Sequence, residues 1–507
     1  MLFNSPIFIF LFLPVTLAGF YWLGRRESQV LTLSWLILAS LVFYGYWNPV
    51  YLLLILGSVA ANYSIGRLLY SDATRGRRRW MWLGIALNLG LLGYFKYAGF
   101  LSGITGALLG RGLHFEAVVL PLAISFFTFQ QISFLVDAYR HETSQPHWLS
   151  YLLYVTFFPQ LIAGPIVHHR EFLSQVPALM RAWRHHSHVV VGLSIFIIGL
   201  CKKVLIADNL ALDASPIFAA AERGDPLHML QAWRGVVAYN FQIYFDFSGY
   251  SDMAIGLARC FGVRLPQNFR SPYRAAGIIE FWRCWHITLS RFLRDYLYIP
   301  LGGGRHGQAR RNLNLMVTML LGGLWHGAGW TFVVWGGLHG GLLMLNHGWR
   351  RLCPWTMPLP LARLLTLLAV MLAWIFFRAE SFEGALRLLA AFTVLPAEFF
   401  GGAAGLLQPL GFELVDVHVR NADSQYLWLF VLLTAFCWYM PNTQQLFSRY
   451  RPIYESQPED DKTVALQRRV PALIWRPTRG WGIAMGLLAL LATLSLSRVS
   501  EFLYFQF

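Results

Sequence analysis

The run Leu313–His347, LNLMVTMLLGGLWHGAGWTFVVWGGLHGGLLMLNH, decides the fold class. It holds no Asp, Glu, Lys or Arg, and two apolar segments meet in it at a histidine, His326, flanked by Gly and Trp. Helices of this composition have no polar face to turn toward water, whereas a bilayer demands such a stretch. The glycines let a neighbouring backbone or a substrate approach closely. The run therefore predicts membrane-embedded helices with an imidazole held near their junction.

The rest of the chain follows the same pattern. Of 507 residues, 56% are hydrophobic and 13% charged, against about a quarter charged in a soluble domain. Apolar runs fall near 6–23, 30–46, 50–70, 80–97, 117–136, 150–166, 188–206, 229–247, 312–325, 329–346, 360–377, 425–441 and 481–497. They predict an all-α polytopic membrane protein with roughly eleven to thirteen spans. Gly, Pro and His interrupt several runs, and broken helices survive in a membrane only where protein or a water-filled cavity surrounds them. With no long polar module, the expectation is one membrane-embedded domain over 1–507: N-terminal helices over 1–166, a catalytic core over 167–350, and C-terminal helices with an exposed tail over 351–507.

The net charge of +16 comes from short clusters at the ends of apolar runs, which read as topology signals rather than a nucleic-acid surface. Arg25 and Arg26 follow the first run, and Arg75, Arg77, Arg78 and Arg79 follow the third, so both clusters share the cytoplasmic side and the N-terminus faces outward. The loop Gly302–Arg311 and the polar segment from Phe447 to Arg479 are cytoplasmic on the same rule. Positive charge after the first apolar run, with none before it, predicts a retained span rather than a cleaved signal. The five cysteines form no C-x-x-C pair, which indicates neither a disulfide framework nor a thiolate metal site.

Polar groups inside a bilayer cost about 2.5–3.5 kcal/mol each for Arg, Lys or Asp at a span's centre, so their presence calls for a reason. His326 is one such group. With an unperturbed pKa near 6.5, an imidazole kept from water is an unprotonated base at neutral pH. In Glu280–Asp295, EFWRCWHITLSRFLRD, a continuous helix would align Arg283, His286 and Ser290 on one stripe, with Glu280–Arg283 and Arg291–Asp295 paired locally. Asp246 and Asp252, among the aromatics of Tyr239–Ala258, suit either a proton or cation site or anchors for neighbouring Arg or His side chains, and the second is favoured. His339 and His347 bring the histidines of this region to four, but no metal-ligand spacing such as H-E-x-x-H joins them. Phe172, Val176, Leu179 and Trp183 recur at helical spacing and predict a helix at the membrane interface.

Several of these segments resemble one family. FFPQLIAGPIVHHREF (Phe157–Phe172), YFDFSGYSDMAIGLA (Tyr244–Ala258), FWRCWHITLSRFLRDYLYIPLGG (Phe281–Gly303), LWHGAGW (Leu324–Trp330) and VVWGGLHG (Val333–Gly340) are similar to the membrane-bound O-acyltransferases. The likeness is greatest to the bacterial branch that acetylates alginate and transfers D-alanine to teichoic acid, and the terminal EFLYFQF fits the alginate type. It implies a ring of helices around a central tunnel, with His326 as the family's invariant histidine and His286 as its second. Cys284 departs from the pattern, where an arginine is more usual.

What the resemblance implies is acetyl transfer from a cytoplasmic thioester, acetyl-CoA or another acyl thioester, toward an exopolysaccharide such as alginate or cellulose. His326 and His286 are then the catalytic candidates, and Arg283, Ser290, Trp325 and His339 the candidates for contacting donor or substrate. No bound cofactor, metal or nucleic acid is expected. The expected setting is the bacterial inner membrane, with multiple passes. The expected partners are the bilayer, the acyl donor, exopolysaccharide pathway components and a periplasmic acetyltransferase or esterase-like protein, for which the tail ending FLYFQF is a candidate docking element. D-alanyl transfer to a cell-wall polymer and non-catalytic transport are the competing readings.

Overall fold

The computed structural model describes residues 1–110, 119–416, 421–454, 473–496 and 503. The chain is all-α. Among the described residues the exception is a two-stranded parallel ribbon, Val394–Pro396 beside Glu413–Val415, in the register Val394 to Glu413. Three helices are long and apolar enough to cross a membrane unaided, Tyr51–Tyr70, Ser187–Arg223 and Leu359–Arg378, and shorter apolar helices run Phe8–Gly24, Gln29–Gly45, Trp428–Tyr439 and Arg479–Leu494. Local chemistry sets many of the ends: Ser28, Ser381 and Thr478 cap their helices by accepting the N–H three residues on, as N-cap hydroxyls do. Backbone contacts divide the chain into two compact units.

The first unit comprises 1–201, 249–268 and 443–506. Its core is aromatic: Phe8, Phe12, Phe43, Phe158 and Phe261 pack in a chain with ring centroids 5.4–5.8 Å apart. Ile124–Tyr139 buries nearly every side chain from Ile124 to Ala138, the behaviour of a helix apolar all round. Between Tyr51–Tyr70 and Arg77–Leu92, Asn62 and Asn88 exchange amide hydrogen bonds of 2.7 and 3.4 Å, which satisfies two amides inside the membrane. The apolar run at 150–166 is not one helix. It is Trp148–Thr156, then Phe158–Leu161, then irregular backbone, buried throughout from Ser150 on, and Gly164 is required because a Cβ there would lie 2.6 Å from the Gln160 Cα. The expected interfacial helix is likewise split, into His169–Leu173 and Val176–Arg181, with Phe172, Val176 and Leu179 turned inward.

The second unit comprises 202–248 and 269–442. The opening run folds there as a hairpin of Gly307–His326 and Trp330–Leu352. Its glycines are contact points: a Cβ on Gly323 would overlap the Phe332 carbonyl oxygen, and one on Gly336 the Met319 carbonyl oxygen. Backbones this close are what small residues make possible between membrane helices. Leu359–Arg378 lays Trp374 and Phe377 against the hairpin's Trp335, with ring centroids 5.5 and 5.0 Å away.

Candidate active site

His326 is the last residue of its helix, and Gly327 continues in extended conformation. The Phe332 ring lies directly on Gly327, so any side chain at 327 would overlap it. The chain thus turns sharply after His326 and leaves the imidazole at the helix end. It is 6% exposed and walled by Trp325, Trp335 and Phe377, with centroids 4.9, 5.2 and 5.1 Å away.

The expected continuous helix over Glu280–Asp295 is broken here. Ile278–Trp282 ends, the chain turns, and Ile287–Leu293 restarts with His286 as its N-terminal flanking residue. His286 has φ 42° and ψ 53°, a left-handed conformation that costs a non-Gly residue on the order of 1–3 kcal/mol and gathers at functional sites. This kink carries the imidazole, 1% exposed, to a ring separation of 6.4 Å from His326, with Phe247 edge-on at 4.8 Å. The two catalytic candidates share one aromatic-walled site.

The other candidates are distributed differently. Trp325 touches the His326 ring. His339, wholly buried, accepts a 3.3 Å hydrogen bond at Nδ1 from Trp282 Nε1, so the neutral ring carries its proton on Nε2. The broken helix takes Arg283 and Ser290 off a common stripe with His286: Arg283 is exposed and Ser290 half-buried, its hydroxyl 3.5 Å from the Trp285 carbonyl. Glu280 accepts the Ala276 N–H at 2.9 Å, and Asp295 pairs with Arg294 at 2.7 Å. Cys284 is buried, and its carbonyl accepts the Arg270 N–H.

The two intramembrane carboxylates hold polar partners, and these include Lys, Thr and Gln side chains. Lys203 Nζ bridges Asp246 at 2.5 Å and Asp208 at 2.9 Å, all three side chains under a tenth exposed. In the first unit, Asp252 accepts from the Thr443 hydroxyl at 2.6 Å and the Gln444 amide at 2.8 Å. Among the described residues no three His, Cys, Asp or Glu side chains converge as a metal site. The FLYFQF tail lies outside the described residues apart from Leu503.

Missed from the sequence were Lys203, which ends an apolar run and looks there like a topology signal, and Trp374 and Phe377, which nothing in their apolar run distinguishes. The rule that an intramembrane carboxylate needs a partner was the signal that could have singled out Lys203.

An all-α membrane protein with two buried histidines brought together at a kink and a helix end fits the acyl-transferring class. The membrane-bound O-acyltransferase family profile matches residues 18–384, and the chain belongs to that family and is an O-acyltransferase. It is 45% identical over 421 residues to a peptidoglycan O-acetyltransferase of Helicobacter pylori, covering 77% of this chain and 79% of that one. Against a probable alginate O-acetylase of Pseudomonas aeruginosa the identity is 42%, over 77% and 74% of the two chains. Against that of Pseudomonas putida it is 37% along the full length of both.

Proposed function

We propose that this chain, a multi-pass protein of the bacterial inner membrane, moves an acetyl group from a cytoplasmic thioester to a hydroxyl on the path to an extracytoplasmic polysaccharide, with His326 as base. The observation that carries this reading is the 6.4 Å pairing of two buried imidazoles, His326 and His286, in one aromatic-walled site. His326 takes the proton of the acceptor hydroxyl as its oxygen attacks the thioester carbonyl. The tetrahedral adduct then expels the thiolate, which recovers that proton from the imidazolium, so an ester and a free thiol result. His286 serves the same carbonyl or the acceptor oxygen. Trp325, Trp335 and Phe377 keep bulk water from the thioester, which it would otherwise hydrolyse.

An exopolysaccharide of the alginate kind is the first acceptor, reached through a periplasmic acetyltransferase or esterase-like partner. The 45% identity to a peptidoglycan O-acetyltransferase favours a second, the peptidoglycan glycan strand. The test is transfer of labelled acetyl from acetyl-CoA by the protein reconstituted in vesicles. His326→Ala lowers the rate about 10²–10⁴-fold, the usual worth of a general base, with thermal melting unchanged. Full retention would overturn His326 as the base, no transfer by the native protein would indicate transport without chemistry, and acceptance of a D-alanyl thioester in place of acetyl would overturn the donor.

A further inference from the structure

In the first unit, the start of the Ser187 helix runs antiparallel to the end of Met229–Cys260: Gly192 packs on Gly256 and Cys260, and Gly199 on Gly249 and Met253. The positive end of one helix dipole thus lies beside the negative end of the other, and the two offset. Among the described residues no carboxylate offsets the side-chain charge there. Arg259 is 7% exposed, and its Nε has no hydrogen-bond partner. Among the described residues its guanidinium forms no ion pair. Half-buried Arg264 is anchored through its backbone, its N–H donating to Gln175 Oε1 at 2.8 Å and its carbonyl accepting from Gln175 Nε2 at 3.0 Å, and among the described residues its guanidinium pairs with no carboxylate. The Cys260 Sγ lies 4.0 Å from the Val189 carbonyl, which sets the Arg259 end of its helix beside His188, where both arginines and His185 bear on the ring. Glu27, at the end of the first helix, is taken by Arg184.

A buried cation without a counter-charge is among the costliest arrangements a fold can hold, and it becomes favourable once a ligand supplies the anion. The Tyr21 hydroxyl donates to the Cys260 carbonyl at 3.0 Å, which sets this end of the unit level with Arg25 and Arg26, the cluster that the charge rule assigns to the cytoplasm. We propose that Arg259 and Arg264, beside His188, form a phosphate-binding site entered from the cytoplasmic side. A guanidinium presents a planar fork that two phosphate oxygens match. Two sources carry that chemistry, the phosphates of a soluble coenzyme-type thioester and the headgroup of an anionic lipid. The site holds whether or not His326 is the base, because phosphate binding is read without turnover.

The experiment titrates coenzyme A, and separately phosphatidylglycerol, into the full chain purified in a phosphate-free maltoside detergent, and follows binding and thermal melting. Arg259→Gln weakens binding about tenfold or more, the worth of a charge-assisted hydrogen bond, while Arg259→Lys keeps part of it. Without ligand, Arg259→Gln melts at or above the native temperature, since it removes an uncompensated charge. A loss confined to the coenzyme arm assigns the soluble donor, and one confined to the lipid arm assigns the headgroup. Unchanged affinity in both arms overturns the site. Should Arg259→Gln fold poorly, Arg264→Gln is read in its place, and unchanged affinity there overturns the site equally.

Discussion

Replacing Lys203 by methionine keeps the length of the side chain and removes the ammonium that bridges Asp208 and Asp246. The side chains of Lys203, Asp208 and Asp246 are 4%, 9% and 2% exposed, with contacts of 2.9 and 2.5 Å, so water does not take over the lost contacts. Breaking a buried pair by deleting one partner costs about 3–5 kcal/mol, because the other charge is left uncompensated. Here two carboxylates lose the same cation, which places the expected loss in the upper part of that range, a third or more of a typical total stability of about 5–15 kcal/mol. The assay is denaturant unfolding in detergent followed by tryptophan fluorescence. Adding Asp208→Asn and Asp246→Asn to Lys203→Met recovers most of the loss, since no charge is then stranded. A single variant within about 0.5 kcal/mol of the native protein, the range of a neutral surface change, would refute the reasoning, as would a charge-free triple variant no more stable than the single one.

Two further outcomes follow from the packing. Gly336→Ala forces the hairpin apart at the Met319 carbonyl, costs about 1–3 kcal/mol as overpacking does and slows transfer by displacing His326. Gly341→Ala, with open space around the added carbon, is neutral or stabilising by up to about 1 kcal/mol through helix propensity, and melting curves of the two variants check the contrast. Outside the spans, burial, and secondarily Arg170, holds the His169 imidazole at a pKa of about 4 against an ordinary 6.5. Its folded pKa lies below the unfolded one, so the unfolded chain binds the proton first. The stability due to the neutral ring is full above pH 6.5 and is lost as pH falls toward 4, by at most about 3 kcal/mol, because the buried Asp137 carboxylate 3.5 Å from Nδ1 favours the charged ring. A melting profile from pH 7 to 4 should flatten in His169→Gln; if the acid loss is unchanged there, the cause lies elsewhere.

The fold class was legible because burial in lipid is a demand on composition, and composition is visible in the chain. His326 was legible for the same reason: an ionisable group in Leu313–His347 has no bland company to hide in. Helix continuity was harder to see. The residues of Glu280–Asp295 all suit a helix, and the break at His286 depends on what packs around it, Phe247 and the His326 side of the hairpin. The partner of Asp246 was hidden for another reason. Lys203 lies 43 positions earlier at the end of an apolar run, where lysines are expected for topology alone, and only the path of the chain brings its ammonium to the carboxylate. Trp374 and Phe377 belong to the stretch Leu367–Phe377, whose every face is apolar, so periodicity could not say which side met the histidines.

The backbone at His286 has a bearing on any attempt to redirect this enzyme. Glycine and asparagine are the residues at ease in a left-handed conformation, so at 286 they relax the chain while removing the imidazole, and bulkier replacements keep the strain and lose the ring as well. Chemistry and chain geometry are therefore bound to one residue at this position, and a library varied there samples both together. Acceptor or donor preference is better sought among the rings around it, at Trp325, Trp335 and Phe377, where side chains can change while the turn that aims His286 stays as it is.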